Sequence, residues 1–453
     1  MTQFQWQPRR TGADEERGAQ RGSTSSRLMQ TNEALTELKY KLHQRLIEEL
    51  DPSRLDGLDP VKARESVENA ARTLIAQEMP GIVGMTRDEL VTAVADEVLG
   101  LGPIEPLIKD AAVSEVMVNA PDTVFYEKEG RLYLSPVRFR DNNHILRIAE
   151  RIIAPLGRRV DESSPMVDAR LADGSRVNII IPPVAPRSPT ITIRKFRQDK
   201  MTIEDLIATG TLTRELAEFL RACIQVRLNI VISGGTGSGK TTLLNALSAF
   251  IPDSERIITI EDPTELKLQQ GHVVSLEARP PSLEGKGEVT QRDLVRNSLR
   301  MRPDRILIGE VRGSEAFDMM QAMNTGHEGS LTTIHANSPR DALARIENMI
   351  LMAGLDLPIR AIREQMSSAL HVVVQIARLP DGSRKITSVS EITGMEGQVV
   401  TMQELFRFEQ RGIDGEGRIV GDFRPTGIRP QFAEKFAIAG IQLPHDIFGA
   451  GEW

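Results

Sequence analysis

The stretch LNIVISGGTGSGKTTLL, Leu228–Leu244, decides the fold of the largest part of this chain. Its first six residues form an apolar run that is typical of a buried parallel strand. The run leads into GGTGSGKT, 234–241, which matches G-x-x-x-x-G-K-[ST] position for position. Glycines let the backbone curl closely around an anion, and a helix that begins at Lys240 points its positive dipole end at that anion. The stretch therefore predicts a strand, a phosphate-binding loop and a helix in succession.

Two side chains of this loop are expected to act directly on a nucleoside triphosphate. Lys240 should reach the β- and γ-phosphates, and the Thr241 hydroxyl should complete the shell of a Mg²⁺ ion. The residues expected to contact ATP in this loop are Gly235, Thr236, Gly237, Ser238, Gly239, Lys240, Thr241 and Thr242. A glycine-rich turn without a ligand is the weaker alternative, because the complete motif stands in its strand and helix setting.

The composition is that of an ordinary soluble protein with two or three domains. The 453 residues are 40% hydrophobic and 26% charged, and the net charge of −7 gives no basic field for nucleic acid. The single cysteine, Cys223, excludes an intramolecular disulfide, suits a reducing cytosol and is best explained as a packed thiol. No apolar run approaches the roughly 20 residues that span a bilayer, and no signal peptide is recognisable. We therefore expect a cytoplasmic protein without a membrane span, which meets membranes only through partners.

Composition and apolar spacing divide the chain into six segments. The start is rich in Arg, Gly and Ser, and helical patterns follow it, with Asp59 as one helix cap and Thr86-x-x-Glu89 as a capping box. The predicted segments are a disordered tail 1–30, a helical bundle 31–100, an α+β domain 101–195, a linker 196–202, an α/β domain 203–425 and a tail 426–453 that packs on the surface. Within the bundle, the first predicted helix carries the leucines of 35–50.

The two larger segments differ in their periodicity. In 101–195, alternating strands surround one amphipathic helix; they are Val113–Asn119, Thr123–Lys128, Arg131–Ser135, helix Asp141–Ala154, Met166–Leu171, Ser175–Ile181 and Thr190–Arg194. In 203–425, strands Leu228–Ser233, Arg256–Ile260, Arg305–Gly309 and Ser330–Ile334 alternate with helices Lys240–Ile251, Thr290–Met301, Ser314–Asn324 and Pro339–Met352. This order predicts a mostly parallel, doubly wound sheet. An antiparallel pair, Val372–Leu379 and Thr387–Ile392, should follow, and 278–289 should be a mobile surface loop.

Three further strands deliver polar groups at the edge where an open α/β sheet binds its ligand. They end at Glu261, at Glu310 and at His335. One carboxylate of such a site supports Mg²⁺ and another polarises the attacking water. Glu310 is the first candidate for the water or metal role, with metal contact partly through water, and Glu261 is the second.

The two histidines near the last of these strands allow several interpretations. His327 and His335 are eight residues apart with no cysteine nearby, which disfavours a zinc site. A histidine that reports the γ-phosphate, or one that joins neighbouring subunits, is better supported, and a satisfied structural histidine is the remaining alternative.

Arginines are concentrated in the α+β domain rather than in the α/β domain. They are Arg158, Arg159, Arg170, Arg176, Arg194 and Arg197. Surface solvation explains any one of them by default. Arg176, on a strand just past a tight turn, is nevertheless rigidly placed to supply positive charge to a transition state.

Four motifs in a fixed order make the chain resemble a known superfamily. GGTGSGKTT, TIEDPTEL, RPDRILIGEVRG and TGHEGSLTTIHAN stand in the order of the Walker A, Asp-box, Walker B and His-box motifs of secretion ATPases. Such ATPases drive type II secretion, type IV pili and type IV secretion. ADEVLGLGPIEPLI, DESSPMVDARLADGSRVNIIIPP and TITIRKF are similar to the CpaF/TadA branch, which powers Flp (tight-adherence) pili.

The resemblance implies an architecture, partners and further site residues. The 101–195 domain would be PAS-like, 203–425 would be RecA-like, and six chains would form a ring with ATP bound beside the N-terminal domain of the same or a neighbouring subunit. Phosphate-contacting arginines of that domain correspond best to Arg176 and then to Arg159 or Arg170, and the His-box histidines to His327 and His335. The partners would be inner-membrane pilus platform proteins and a pilus-localising protein, with the motor at the cytoplasmic face of the inner membrane.

Two other functions share the phosphate loop. A RecA-like nucleic-acid motor should have a basic, aromatic-studded channel, whereas aromatic residues make up 4% of this acidic chain. A scaffold that binds nucleotide without hydrolysing it would release no phosphate. Whether a pilus motor of this kind extends or retracts its fibre is left open by the sequence.

Overall fold

A computed structural model describes residues 59–78, 85–128, 130–171, 173–196, 201–281, 286–444 and 447–449. The chain divides into two compact units, Met1–Arg197 and Gln198–Trp453. The predicted tail 1–30, the helix over 35–50 and most of the predicted linker lie outside the described residues. Within the described ranges, no helix has both the length and the apolar character needed to cross a membrane.

The first unit contains two long helices followed by helices and strands of an α+β fold. Its elements are α1 Pro60–Glu78, α2 Met85–Leu99, a 3₁₀ turn Gly102–Ile104, α3 Glu105–Lys109, β1 Val113–Ala120, β2 Thr123–Lys128, β3 Arg131–Leu134, α4 Asn142–Ile153, a 3₁₀ turn Ala154–Leu156, β4 Met166–Arg170, β5 Arg176–Ile180 and β6 Thr190–Arg194. The strands form one antiparallel sheet in the order β3-β2-β1-β6-β5-β4. The strands predicted at Thr123–Lys128 and Thr190–Arg194 are confirmed with the same bounds.

The helices of this unit pack through apolar residues that recur at helical spacing. Ile145, Ile148 and Ile152 of α4 pack against the inner face of the sheet, and α1 and α2 bury a smaller cluster of their own. Asp59 accepts a hydrogen bond from the backbone N–H of Val61, as the predicted cap requires. α2 begins at Met85, one residue before the Thr86 that was predicted to cap it, and the side chain of Thr86 lies outside what the structure describes.

The second unit alternates strands and helices and then ends in long antiparallel strands. Its elements are α5 Ile203–Ala208, α6 Arg214–Gln225, β7 Ile230–Gly234, α7 Lys240–Ser248, β8 Ile257–Glu261, β9 Val273–Glu277, α8 Gln291–Ser298, β10 Arg305–Ile308, α9 Glu315–Asn324, β11 Leu331–His335, α10 Pro339–Met352, α11 Ile359–Ala369, β12 Val372–Arg378, β13 Arg384–Glu396, β14 Val399–Ile413, β15 Ile419–Pro425 and α12 Ala433–Ile438.

One mixed sheet of nine strands organises this second unit. The strand order is β15-β14-β13-β12-β7-β11-β10-β8-β9. The six strands from β12 to β9 are mutually parallel, which confirms the parallel arrangement predicted for β7, β8, β10 and β11. The predicted antiparallel pair of β12 and β13 is also present, and β14 and β15 extend the sheet in antiparallel fashion. Separate apolar clusters cover the sheet, and helices contribute to both of them. β9, α11, β14 and β15 were not among the predicted elements.

The prediction that 426–453 packs on the surface is wrong for its described part. Phe432, Phe436 and Ile447 are buried in the core of the second unit, where Phe432 and Phe436 surround the ring of Phe219. The carboxylate of Glu391 accepts hydrogen bonds from the backbone N–H groups of residues 431 and 432, which fixes the start of this segment. Phe432 and Phe436 are four residues apart, at helical spacing, but the helix α12 has only six residues, which is too short a window for that period to be recognised in the sequence.

Candidate active site

The glycine-rich loop lies between β7 and α7 with a backbone that requires glycine. Gly237 and Gly239 have φ values of +69° and +97°, where a side chain would be strained. A Cβ at Gly234 would collide with the carbonyl oxygen of Ile376 on β12. The loop is therefore a close-packed cradle of backbone groups at the carboxyl edge of the parallel strands.

Lys240 is held inside this cradle. The residue is 7% exposed, and its Nζ donates a hydrogen bond to the carbonyl oxygen of Gly235 at 2.9 Å. The Ser238 hydroxyl donates to the same oxygen at 2.8 Å. An ammonium group in a confined, partly dry position interacts with a phosphate more strongly than one in open solvent. Lys240 therefore lies inside the loop, where the sequence predicts a lysine that binds phosphate.

Sheet register brings His335 and Glu310 beside the loop. His335 pairs with Gly234 across β11 and β7. The segment that carries Glu310 is tied to β11, because the backbone N–H of Val311 donates to the carbonyl of Thr333 and the Thr333 hydroxyl donates to the carbonyl of Gly309. These bonds fix the Glu310 backbone next to the strand that ends in His335.

A chain of polar contacts connects the loop lysine to the Glu310 carboxylate. Nζ of Lys240 lies 3.4 Å from Nδ1 of His335, and Nε2 of His335 lies 2.9 Å from Oε1 of Glu310. An ammonium group can only donate and a carboxylate can only accept. His335 is therefore assigned as the neutral tautomer, with its proton on Nε2 and its Nδ1 lone pair towards Lys240.

The electrostatics of the two groups agree with this assignment. Burial lowers the pKa of His335, and the positive charge of Lys240 lowers it further. Burial alone would raise the pKa of Glu310, but the hydrogen bond and charge of Arg312, together with His335 and Lys240, leave that pKa below its usual value. Near neutral pH the pair consequently consists of a neutral imidazole and an ionised carboxylate.

Arg312 is a contact of Glu310 that sequence reasoning did not select. Its Nη2 donates to Oε2 of Glu310 at 2.8 Å, and the other carboxylate oxygen, Oε1, is the one that lies near His335. Arg312 stands in the same GEVRG motif as Glu310, two positions later. The position of Arg312 in this motif could have suggested the contact, but no rule of sequence spacing distinguishes Arg312 from a solvated surface arginine.

Glu261 ends β8 and is almost fully buried. It is 1% exposed, and its Oε2 accepts the backbone N–H groups of Glu265 and Leu266 at 2.7 and 2.9 Å. Its Oε1 is buried without a hydrogen-bond partner among the described residues. Burial raises the pKa of Glu261 to about 7 despite these backbone donors. A buried carboxylate with one oxygen unsatisfied at a strand end is a candidate for proton transfer or metal support.

These observations fit a nucleoside triphosphate with Mg²⁺. The backbone cradle and Lys240 match an array of phosphate oxygens, and the unsatisfied Oε1 of Glu261 can accept from a water of a hydrated cation. Thr241 and Thr242 are half-buried in the first turn of α7. Thr241 and Glu310 are the residues that would support the metal, with Glu310 acting through water.

His327 does not join this group within one chain. It precedes β11 at the amino end of that strand, whereas His335 and the loop lie at the carboxyl end. Its Nδ1 is buried without a hydrogen-bond partner in the described part of the chain, and burial lowers its pKa. This location does not favour a contact with the nucleotide of its own chain, so a contact with a neighbouring subunit and a structural role are the interpretations that stay open.

The first unit has a row of arginines at one register of its sheet. Arg170 lies opposite Arg176, and Arg176 lies opposite Arg194, on three adjacent strands. Like charges directly opposite each other destabilise a sheet. Glu115 of β1, opposite Arg194, offsets part of the charge. The row is a candidate anion-binding surface, and only the register, which the sequence does not show, places Arg194 in it.

Arg159 lies apart from that row. It is exposed, and its Nε is 3.6 Å from Oδ2 of Asp161. A surface ion pair of this kind contributes little to stability and leaves the arginine able to exchange partners.

Comparisons with known proteins identify the family of this chain. The family model described as "Type II/IV secretion system protein" matches residues 97–419. The type IV secretion system protein VirB11 of Bartonella henselae is 32% identical over 341 residues, which cover 67% of this chain and 94% of that protein. The conjugal transfer protein TrbB of Rhizobium radiobacter is 33% identical over 295 residues, covering 64% and 86%.

A solved structure is also similar to this chain. It is the VirB11 ATPase of the Brucella suis type IV secretion system in complex with sulphate, with 33% identity, a TM-score of 0.35, and coverage of 63% of this chain and 94% of the other. The family model spans the phosphate loop, Glu261, Glu310 and His335 in one continuous match. The chain therefore belongs to the type II/IV secretion system protein family.

Proposed function

We propose that this chain hydrolyses ATP with Mg²⁺ and converts the energy into movement of its two units. The observation that carries the proposal is the continuous contact from the phosphate loop through Lys240 and His335 to the carboxylate of Glu310. A change at the terminal phosphate would act on Lys240 and, through His335, on the carboxylate of Glu310. A loop that merely held a nucleotide would not require that connection.

The proposed roles follow from the chemistry of each side chain. Lys240 and the loop N–H groups bind the phosphates, and Thr241 supports Mg²⁺, which supplies Lewis-acid stabilisation of the phosphoryl oxygens when bound. Glu310, ionised near neutral pH, orients and polarises the attacking water. Glu261 supplies a second carboxylate at the adjacent strand end, with one buried oxygen that no hydrogen bond within the described residues satisfies. His335 reports the state of the site by keeping its Nδ1 lone pair on Lys240.

The arginine row gives a proposed source of positive charge from the first unit. Three arginines in register concentrate charge that a phosphate would neutralise. We assign the transition-state role to Arg176, with Arg170 and Arg159 as accessory phosphate contacts. The anion would be bound by the same or a neighbouring subunit of a hexameric ring.

Arg176→Ala is expected to abolish ATP hydrolysis while ATP binding stays within about twofold of wild type, because an arginine that acts at the transition state adds little to ground-state binding. Phosphate release and the Kd of a fluorescent ATP analogue measure the two quantities on the full chain. Arg131→Ala, on the exposed edge strand β3 of the same sheet, serves as the matched control and should retain the wild-type turnover. Unchanged turnover in Arg176→Ala would reject the role.

The finer assignment is a motor of Flp (tight-adherence) pili at the cytoplasmic face of the inner membrane. The CpaF/TadA-like motifs around residues 95–108 and 161–196 support it. The movement would be carried by the 196–202 linker between the α+β and RecA-like domains and passed to membrane platform proteins. ATP can drive it only if its bound states favour different arrangements of the two domains.

A second candidate is a traffic ATPase of type IV secretion or conjugation. Identities of 32% and 33% with VirB11 and TrbB favour it. Both candidates share the same hydrolysis and differ in the membrane proteins that receive the movement.

The test of the proposed function uses the purified full chain with Mg²⁺ and ATP. We expect phosphate release that Lys240→Ala eliminates, and a particle mass of six chains when nucleotide is present. Stimulation by the pilus platform proteins would support the pilus motor, and stimulation by type IV secretion components alone would favour the second candidate. A monomer that releases no phosphate under all these conditions would refute both.

A further inference from the structure

The hairpin of β12 and β13 lies beside the phosphate loop. β12 runs parallel to β7, and Ile376 of β12 is in register with Gly234 at the start of the loop. β12 ends with Arg378, and β13 begins with Arg384. The hairpin therefore brings two guanidinium groups to the loop from a part of the chain about 140 residues distant.

Arg384 makes a direct contact with the loop backbone. Its Nε donates a hydrogen bond to the carbonyl oxygen of Gly237 at 3.0 Å. A Cβ placed on Gly239 would lie 3.1 Å from Cδ of Arg384, so the side-chain stem also covers that glycine. Arg378 is close as well, since a Cβ on Gly237 would lie 3.7 Å from its Nη1.

The Arg384 hydrogen bond has a consequence for the phosphate-binding groups. In a trans peptide, the carbonyl of one residue and the N–H of the next point in opposite directions. The carbonyl of Gly237 accepts from Arg384, and the N–H of Ser238, on the opposite side of the same peptide, donates to the carbonyl of Gly235 at 3.4 Å. Arg384 thus fixes the orientation of the Gly237–Ser238 peptide within the loop.

We propose that Arg384 is a positioning residue for the polyphosphate of the bound nucleotide and that Arg378 reinforces it with charge. Arg384 acts through the Gly237–Ser238 peptide, and its charge, with those of Arg378 and Lys240, concentrates positive potential around the loop. The ligand class is a nucleoside di- or triphosphate recognised through its phosphates. This inference rests on the proposed function, since it assumes that the loop binds such a nucleotide.

Arg384→Met tests the proposal because methionine keeps an apolar stem against Gly239 and removes the donor and the charge. We expect Kd for ATP and for ADP to rise about tenfold, a loss typical of a charge-assisted hydrogen bond. Arg384→Lys should recover part of the affinity, since its ammonium can still donate to the carbonyl. Lys385→Met is the matched control on the same strand, where Nζ donates to the carbonyl of Gly210 instead, and it should bind like wild type.

Two readouts separate positioning from a merely structural role. The thermal midpoint of the nucleotide-free variant should match wild type, while the increase in that midpoint on addition of ADP should shrink. In competition with a fluorescent ADP analogue, tripolyphosphate should lose affinity by the same factor as ATP. Wild-type affinity in Arg384→Met, or a loss for ATP that tripolyphosphate does not share, would overturn the proposal. A wild-type chain that binds no nucleotide would instead reject the proposed function, and this inference with it.

Discussion

Replacing Glu310 by glutamine is expected to lower kcat for ATP hydrolysis by about 10²- to 10⁴-fold while the chain still binds ATP. Glutamine preserves the volume of the side chain but removes the negative charge that orients and polarises water. Because ATP binding depends mainly on the loop backbone and Lys240, the ground-state complex should survive.

The surroundings of the Glu310 carboxylate make this substitution more disruptive than the loss of one charge. Its Oε2 accepts a hydrogen bond from Arg312, and its Oε1 lies 2.9 Å from Nε2 of His335, which carries the proton in the assigned tautomer. A carboxamide has only one oxygen, so its NH₂ group must face one of these two donors. If it faces His335, the imidazole proton moves to Nδ1 and confronts the ammonium group of Lys240. The variant should therefore also lose the contact that links the loop to β11.

Phosphate release and equilibrium binding on the full chain check this expectation. Glu364→Gln is the control, because Glu364 is 54% exposed and pairs only with Arg360 of its own helix among the ion pairs of the described residues. A Mg²⁺ titration of Glu310→Gln then distinguishes the two roles proposed for Glu310. Reduced Mg²⁺ affinity indicates metal support, and unchanged Mg²⁺ affinity with lost turnover indicates action on water. Turnover close to that of wild type would contradict either role.

Local patterns in the sequence were sufficient for the parts of the site that follow strands. The loop, Glu261, Glu310 and His335 each come directly after an apolar run, and parallel strands must end at a common edge. Their convergence was thus predictable from the order of elements alone. The individual contacts were not, because the Lys240–His335 and His335–Glu310 distances depend on sheet register and on side-chain rotamers.

Contacts between distant segments account for what sequence reasoning missed. Arg384 is 147 positions from the carbonyl that it binds, and no local period connects the two. Arg194 joins Arg176 only through the pairing of β5 with β6. The aromatic residues after 430 enter the core around Phe219, and the six-residue helix that carries Phe436 is too short to be recognised from its apolar spacing. In each of these cases the decisive quantity is a through-space neighbour, which spacing along the chain cannot supply.

Replacing Glu261 by glutamine is expected to stop hydrolysis and to stabilise the nucleotide-free protein at alkaline pH. The wild-type carboxylate is buried with one oxygen unsatisfied, and its pKa is about 7 instead of the ordinary 4.5. An ionised carboxylate in such a place destabilises the fold, and we attribute its presence to a functional requirement. Glutamine can still accept the two backbone N–H groups through its oxygen, and it carries no charge to bury.

The sign and the pH range of the stability change follow from this raised pKa. A folded-state pKa above the unfolded value means that the carboxyl stabilises the fold fully only below pH ~4.5, and this contribution is lost as the pH rises through about 7. The difference between the two pKa values corresponds to about 3 kcal/mol. Relative to wild type, Glu261→Gln should therefore be more stable by up to about 3 kcal/mol at pH 8.5 and by much less at pH ~5.

Thermal and urea unfolding of the full chain at these two pH values, without nucleotide or Mg²⁺, measure the difference. Glu347→Gln is a useful comparison, since Glu347 forms an ion pair with Arg363 at 2.7 Å and its loss should destabilise rather than stabilise. In wild type, kcat/KM for ATP should increase with pH through about 7 if ionised Glu261 takes part in hydrolysis. A stability gain of equal size at both pH values would show that burial of charge is not its cause. Retained hydrolysis in Glu261→Gln would separate this carboxylate from the chemistry and leave Glu310 as the acidic group on which turnover depends.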